Sequence, residues 1–238
     1  MLLFYAPDIA VNQQLPETEA HHCLKVLRMK PGDAIRLTDG KGNFYNAEIS
    51  EINIKRCMVN LLETIPQPPL WKGRIEIALA PTKNTDRMEW FAEKATEIGI
   101  DKISFLRCRF SERKEIPIER IRKIMVSAMK QSEKAQLPDL QAITGFNDFI
   151  RQDFEGQKFI AHCHHGEKTH LAQAYRKNEN VLILIGPEGD FSEEEIISAK
   201  EQGFVPVSLG VSRLRTETAA LTACHTIHIV NPLPPKGG

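Results

Sequence analysis

No stretch of the 238-residue chain approaches the roughly 18 uninterrupted apolar residues a membrane helix needs, so the sequence offers no candidate span. The start, Met1 to Asp8, lacks the basic-then-apolar layout of a signal peptide, and a cytoplasmic address is the expectation. Cysteines are few: Cys23, Cys57, Cys108, Cys163 and Cys224 are odd in number, scattered, and form no Cys-x-x-Cys pair. That pattern argues against a disulfide framework or a zinc ribbon and predicts reduced thiols. Neither charge is in surplus, 31 basic residues balancing 31 acidic ones, so the whole-chain charge neither demands nor excludes a polyanionic partner. With 42% hydrophobic and 26% charged residues and no internal repeat, disorder, collagen and coiled coil are excluded. The length suits one large or two modest globular domains.

Signature motifs are also missing. There is no Gly-x-x-x-x-Gly-Lys-Ser/Thr loop, no Gly-x-Gly-x-x-Gly after a strand and no Gly-x-Ser-x-Gly. P-loop chemistry and ordinary dinucleotide binding are therefore disfavoured. His162-Cys163-His164-His165 holds potential metal ligands, but neighbours at a strand end point to opposite faces and no second cluster completes a tetrahedral set, so no metal is expected.

What is present is uneven in charge. Arg107 to Lys134 contains nine Lys or Arg against four Glu, whereas Ala135 onward has nine basic residues against thirteen acidic ones. A basic middle between acidic flanks could bind phosphates by displacing condensed counterions; a solvated helix face is the plain alternative.

Short extended runs fill the first part of the chain: Leu2 to Tyr5, Ala34 to Thr38, Phe44 to Ile49 and Cys57 to Leu62. Pro31-Gly32-Asp33 and Asp39-Gly40-Lys41-Gly42-Asn43 supply reversal residues, which predicts antiparallel pairing on either side and a small β-barrel or sandwich. Glu17 to Met29 reads as one short helix. Pro66, Pro68 and Pro69 then break regular structure, and a domain boundary is expected near Trp71, dividing the chain into 1–71 and 72–238. Beyond it, β-like runs at Ile75 to Ala80, Lys102 to Leu106, Lys158 to Ala161, Val181 to Ile185 and Val205 to Ser208 alternate with helical stretches. That alternation predicts an α/β fold with a mostly parallel sheet. The clearest helix has Met88, Phe91, Ala95 and Ile98 on one face, Asn84 or Thr85 as its cap, and Gly99 closing it in the left-handed conformation. A basic helix follows over Ile118 to Lys134, with Ile121, Ile124, Met125 and Ala128 inward. The tail from Pro232 to Gly238 is expected to fray.

Two segments carry chemistry. Val181 to Ser192 runs from an apolar strand through Gly186-Pro187-Glu188-Gly189 into a helix whose start is marked by a Ser192/Glu195 capping box. Ligands of open α/β sheets bind beyond the carboxyl ends of strands, so a small molecule is expected there, though a purely structural turn has the same look. The other segment, Val207 to Ala219, ends a strand, loops and enters an apolar helix that Thr216 or Thr218 could cap. Arg213 and Arg215 crowd the start of that helix, where the dipole disfavours cations, and this local cost points to function; an Arg215–Glu217 surface pair is the alternative.

Gly186-Pro187-Glu188-Gly189, followed by Leu209-Gly210 and Leu214-Arg215-Thr216-Glu217-Thr218-Ala219, resembles the paired signature of the knotted RNA methyltransferases of the SPOUT superfamily. Within it the chain is most similar to the 16S ribosomal RNA uridine-N3 methyltransferases. His22 to Asp33, Asp39 to Gly42 and Lys94 to Gly99 match as well, so the likeness runs along almost the whole chain. The resemblance implies an N-terminal PUA-like β-barrel that helps hold RNA and a C-terminal α/β domain ending in a deep trefoil knot. It also implies S-adenosyl-L-methionine in the knot, a homodimer, and 16S rRNA or the small ribosomal subunit as partner. Carried onto this chain, the cofactor residues are Leu184, Gly186, Pro187, Glu188, Gly189, Leu209, Gly210, Arg213, Leu214 and Thr216, and a branched side chain at Gly189 should block binding. The chain departs from the family where Lys130-Gln131-Ser132-Glu133-Lys134 replaces Glu-Gln-Ser-Gly-Arg, where Asp190 replaces a glycine, and where Val211-Ser212-Arg213 replaces Pro-Arg-Ile.

Methylation at uridine N3 requires removal of the imide proton and stabilisation of charge on O2 or O4. Glu217 or Glu188 is the expected proton acceptor and Arg215 the fixed cation. Lys25, Arg28, Lys30, Arg113, Lys114, Gln131 and Lys134 are the expected RNA contacts. The competing readings are a noncatalytic RNA-binding or ribosome-assembly factor on the same fold, and a small-molecule enzyme, which would lack its nucleotide fingerprint.

Overall fold

A computed structural model of the chain describes residues 2–53 and 56–231; the tail expected to fray lies outside them. The chain divides into two compact units, Met1–Pro69 with Val126–Leu137, and Leu70–Met125 with Pro138–Gly238.

In the first unit, β1 (Leu3–Tyr5), β2 (Ala34–Thr38), β3 (Asn43–Ile52) and β4 (Cys57–Pro66) form one sheet in that order. Alternate residues, among them Ile35, Leu37, Ala47, Ile49 and Val59, turn into a core with Phe4, Ile9 and Leu15. The expected reversal holds at Asp39–Asn43: the Asp39 carboxylate accepts from the Lys41 amide (2.7 Å) and the Asn43 amide (3.1 Å), and β2 pairs antiparallel with β3. It does not hold across Pro31-Gly32-Asp33. There β1 and β2 run parallel, because the intervening chain crosses back through helix α1 (Ile9–Asn12), α2 (Glu17–His21) and a π-helical turn, His22–Val26. A single helix to Met29 is therefore not formed. The Leu27 amide reaches back to the His22 carbonyl, and Arg28 ends the turn at φ 57°. Residues 13–15 bond the free edge of β4 through Leu15 N to Cys57 O and Val59 N to Gln13 O, both 2.9 Å. Chain from the N-terminal segment thus lines both edges of the sheet. Val126–Leu137 joins this unit by Gly42 N to Ala135 O (3.0 Å), Leu137 N to Gly40 O (2.9 Å) and the Lys130–Glu19 ion pair.

The second unit is built on a parallel sheet of order β7-β6-β5-β10-β8-β11-β9. Its strands are β5 (Ile75–Leu79), β6 (Lys102–Arg107), β7 (Asp139–Gly145), β8 (Gln157–Ala161), β9 (Thr169–His170), β10 (Val181–Ile185) and β11 (Val205–Ser208). The adjacent strands β5 and β10 are buried at every position; β10 is apolar throughout, and β5 is so except for Glu76, whose carboxylate pairs with Lys102 at 2.9 Å. Helices α3 (Thr85–Ile98), α4 (Ile118–Gln131), α5 (Phe146–Ile150), α6 (Leu171–Ala174), α7 (Glu193–Glu201) and α8 (Thr216–Val230) connect or flank the strands.

Asn84 caps α3 by accepting the Asp86 amide at 2.9 Å. Gly99 ends it at φ 130°, ψ 114°, a conformation open to glycine but not the left-handed helical one expected, and a Cβ there would lie 2.7 Å from the Trp71 ring. Ile121, Met125 and Ala128 of α4 are buried as expected, but Ile124 is half-buried and Met129 takes its inward place. The capping box forms at α7, with Glu195 Oε1 also accepting the Arg109 amide at 2.8 Å. Neither Thr216 nor Thr218 caps α8. Arg215 sits at the N-cap without a side-chain bond, and the Thr216 hydroxyl instead donates to the Gly186 carbonyl at 3.1 Å, tying the two signature segments together. All five cysteines are free thiols; burial pushes Cys23 and Cys224 up to about 12, which keeps them unreactive. No described helix is long and apolar enough to cross a membrane.

Candidate active site

The carboxyl ends of β8, β10 and β11 open into one cavity of about 710 Å³, a volume suited to a nucleoside-sized ligand. Its apolar floor comes from Ala161, Ile185 and Val207, and the loop from Leu209 to Thr216 forms its wall. Of the expected cofactor residues, Gly186, Pro187, Glu188, Leu209, Gly210, Arg213, Leu214 and Thr216 line it. Leu184 and Gly189 do not. Leu184 packs in the apolar core with Phe191, and a Cβ at Gly189 would meet Phe110 at 3.1 Å. Gly186 has a steric reason to be glycine, since a Cβ would press on the Phe191 ring and amide at 3.1–3.2 Å. Gly210 combines φ 128° with open space around the Cβ position, leaving its backbone accessible from the cavity.

Electrostatically the site is more organised than the chain suggested. Arg215 lines the cavity and is exposed, and its side chain makes no bond or ion pair with a described residue. Glu217, two residues further on, is buried and faces Arg87, not Arg215, with Arg87 Nε 3.7 Å from Glu217 Oε1. Arg87 Nη1 also donates to Glu188 Oε1 at 3.3 Å, and the Lys83 amide donates to Glu188 Oε2. Arg87, on the first turn of α3, therefore ties the first signature loop to the start of α8, and it replaces the Arg215–Glu217 surface pair considered from the chain alone. Nothing in local sequence marks Arg87 for this role, because its partners lie about a hundred positions away.

The carboxylates on the cavity lining are Glu188 and Asp190. Both oxygens of Asp190 are engaged, Oδ2 by the Cys163 amide (2.7 Å) and Oδ1 by the Phe191 amide (2.8 Å). His164 Nε2 donates to the Phe191 carbonyl at 2.7 Å, so residues 163–164 are pinned to the loop after β10. His162, Cys163 and Lys168 also line the cavity and were not foreseen as part of it. Among the described residues no group of three or more His, Cys, Asp or Glu could hold a metal ion.

The expected RNA contacts are dispersed over the two units. Lys25, Arg28 and Lys30 are exposed on the first, as is Gln131, with Lys134 half-buried. Arg113 and Lys114 belong to the second, and the Arg113 guanidinium is held by the Lys83 carbonyl at 2.6 Å through Nη2.

An α/β domain with a ligand cavity at its strand ends, preceded in the chain by a small β-unit, is the class that fold and site define. Two family models match: an RNA methyltransferase domain over residues 69–228 and an RNA methyltransferase PUA domain over residues 15–62. The chain belongs to this RNA methyltransferase family. It is similar to a probable rRNA methyltransferase of Porphyromonas gingivalis, with 45% identity, TM-score 0.92, and 97% of this chain and 98% of that one covered. A Neisseria gonorrhoeae ribosomal RNA small subunit methyltransferase E bound to S-adenosyl methionine matches at 28% identity and TM-score 0.81, covering 97% of this chain and 98% of that one. The ribosomal RNA small subunit methyltransferase E of Rickettsia conorii is 29% identical over 93% of this chain and 95% of its own length.

Proposed function

We propose that the protein transfers a methyl group from S-adenosyl-L-methionine to N3 of a uridine in 16S rRNA of the small ribosomal subunit. The observation that carries this reading is the cavity at the ends of β8, β10 and β11, walled by both signature segments, which the Thr216–Gly186 bond joins. Its residues fit the cofactor: the volume suits a nucleoside, the glycines leave backbone groups accessible, and buried polar atoms on the wall lack protein partners. When bound, the cofactor supplies an electrophilic methyl on sulfonium. The chain's own groups then do the rest. Arg215, unpaired on the wall, faces the negative charge that develops on the uracil oxygens. Glu188 accepts the N3 proton, being the lining carboxylate with the looser bonds, 3.3 Å to the Arg87 guanidinium and 3.3 Å to the Lys83 amide, where Asp190 takes two backbone amides at 2.7 and 2.8 Å. Glu217 holds Arg87, and through it Glu188, in place.

In this reading residues 1–71, with Val126–Leu137 added, grip RNA through Lys25, Arg28, Lys30, Gln131 and Lys134, while the remainder of 72–238 carries the transfer, its last part threaded as a trefoil knot. Exposed Val211 and Ile229 support burial against a second copy, and a ribosomal substrate implies cytoplasmic residence. The test is incubation of the full chain with methyl-labelled S-adenosylmethionine and unmodified small subunits, followed by nucleoside mass spectrometry. N3-methyluridine is expected. RNA binding without methyl incorporation would instead establish the noncatalytic factor.

A further inference from the structure

His162 stands out among the residues of the cavity. It follows the last residue of β8, on the cavity wall, and both of its ring nitrogens are buried without a hydrogen-bond partner. Buried polar nitrogens are nearly always paired in folded proteins, because an unmade bond forfeits solvation with nothing in return. Here a single side chain carries two such atoms. Burial holds the imidazole neutral, pushing its pKa down to about 4, and nearby Lys168 acts in the same direction. A neutral imidazole has one donor and one acceptor nitrogen, so it is suited to a group offering both functions.

The chain beside the ring is held without using those nitrogens. The ring's edge meets the His164 ring at 5.6 Å and 69°, and the backbone that follows is fastened by the Cys163 amide to Asp190 and by His164 to the Phe191 carbonyl. Both nitrogens are shut off from solvent in the ligand-free protein, so a ligand reaches them by turning the ring on this fixed backbone.

We propose that His162 reads the nucleoside end of the ligand in this cavity, exchanging hydrogen bonds with a purine edge or ribose hydroxyl. The assignment rests on the cavity being the S-adenosylmethionine site. The nucleoside end is favoured over the amino-acid end because the latter carries a carboxylate and an ammonium. For the carboxylate the cavity offers the cations Lys168 and Arg213, whereas His162 is its neutral donor–acceptor pair.

Calorimetry on the full chain separates the possibilities. His162→Phe keeps the ring's bulk and removes both nitrogens. It should weaken S-adenosylmethionine and 5′-methylthioadenosine, which lacks the amino-acid end, by a similar factor on the order of 10- to 100-fold. His162→Gln, whose amide restores a donor and an acceptor, should recover part of the loss. A purely structural role would move the ligand-free protein instead, yet thermal unfolding of ligand-free His162→Phe is expected to be unchanged or higher, since orphaned polar atoms have been removed. Unchanged affinity for both ligands, or a loss confined to S-adenosylmethionine, would overturn the proposal. Failure of the unaltered protein to bind either ligand would overturn the cofactor reading itself, and the His162 assignment with it.

Discussion

Replacing Glu133 and Asp190 by glycine, one at a time, should shift stability in opposite directions. Both residues occupy left-handed backbone, at φ 52° and φ 67°, and both stand where the family pattern has glycine. A non-glycine residue there costs about 1–2 kcal/mol, and glycine gives back about 0.5–1 kcal/mol through its larger unfolded-state entropy. Glu133 is exposed, and the structure records no bond to its side chain, so Glu133→Gly should gain roughly 0.5–1 kcal/mol. At Asp190 the strain is milder, because Asp tolerates this region, and its carboxylate accepts the Cys163 and Phe191 amides at 2.7 and 2.8 Å. Hydrogen bonds to a charged acceptor are worth about 1.5–3 kcal/mol each when shielded, so losing both should outweigh the relief and leave Asp190→Gly about 1–3 kcal/mol less stable. For a chain of this size each kcal/mol moves the melting temperature by about 2–4 °C. Scanning calorimetry should therefore show Glu133→Gly melting up to a few degrees higher and Asp190→Gly several degrees lower. Shifts of the same sign, or a rise for Asp190→Gly, would refute the argument that the Asp190 carboxylate compensates its own backbone.

Arg215→Ala should lower methyl transfer by about 10²–10³-fold in kcat, the usual effect of removing one stabiliser of developing charge, while leaving the melting temperature unchanged; near-normal turnover would remove Arg215 from the site. Arg87→Met should cost about 1–3 kcal/mol in stability, read by urea denaturation, because it leaves the buried Glu217 carboxylate uncompensated. Alanine at Lys25, Arg28 and Lys30 together should weaken rRNA binding and flatten the log-affinity against log-salt slope by about 2, measured by filter binding; an unchanged slope would take these cations off the RNA path. His162 is neutral in the folded state down to about pH 4 but titrates near 6.5 when unfolded, so between these values the unfolded chain binds the extra proton. Stability should fall as pH drops from 6.5 towards 4 and level off below. The difference curve against His162→Phe isolates this component from the nearby Lys168, Asp190, His164 and Lys200.

Long periodic elements were legible in the chain, and short or tertiary ones were not. Helix α3 announced itself by apolar spacing and the Asn84 cap, and α7 by its capping box, because these signals are local. Strand β10 showed as an unbroken apolar run, and β5 as an apolar run interrupted by Glu76 alone. Strand β9, with two residues, and α1 and α6, with four each, are too short to show a period. Strand β7 is half-buried almost throughout, so it lacks both an alternating face and an apolar core run. The parallel pairing of β1 with β2 depends on a crossover that turn residues alone do not reveal. In the site, the glycine loop and Arg215 were readable from their positions, whereas Arg87 acquires its role only when α3 meets loops distant in sequence. His162 was visible as a possible metal ligand, and it took the fold to put it on a ligand cavity with its nitrogens unpaired.

Local rules of stability are broken repeatedly around one cavity. A cation sits at the N-cap of α8, an aspartate occupies a left-handed position near Pro187, an imidazole buries two unpaired nitrogens, and Glu217 Oε2 is buried without a partner. Elsewhere in the same unit, β10 is apolar throughout and α7 opens on a complete capping box, so the violations are not general looseness. The Arg215 guanidinium and the His162 nitrogens would be relieved by bringing in a ligand with both charged and neutral polar groups. It follows that this part of the fold is less stable alone than occupied, and that ligand binding should raise its stability by mass action beyond what the unliganded contacts supply. The same reasoning explains why the loop after β10 is fastened so heavily to residues 163–164: unsatisfied groups hold their geometry only where the surrounding bonds leave them no alternative.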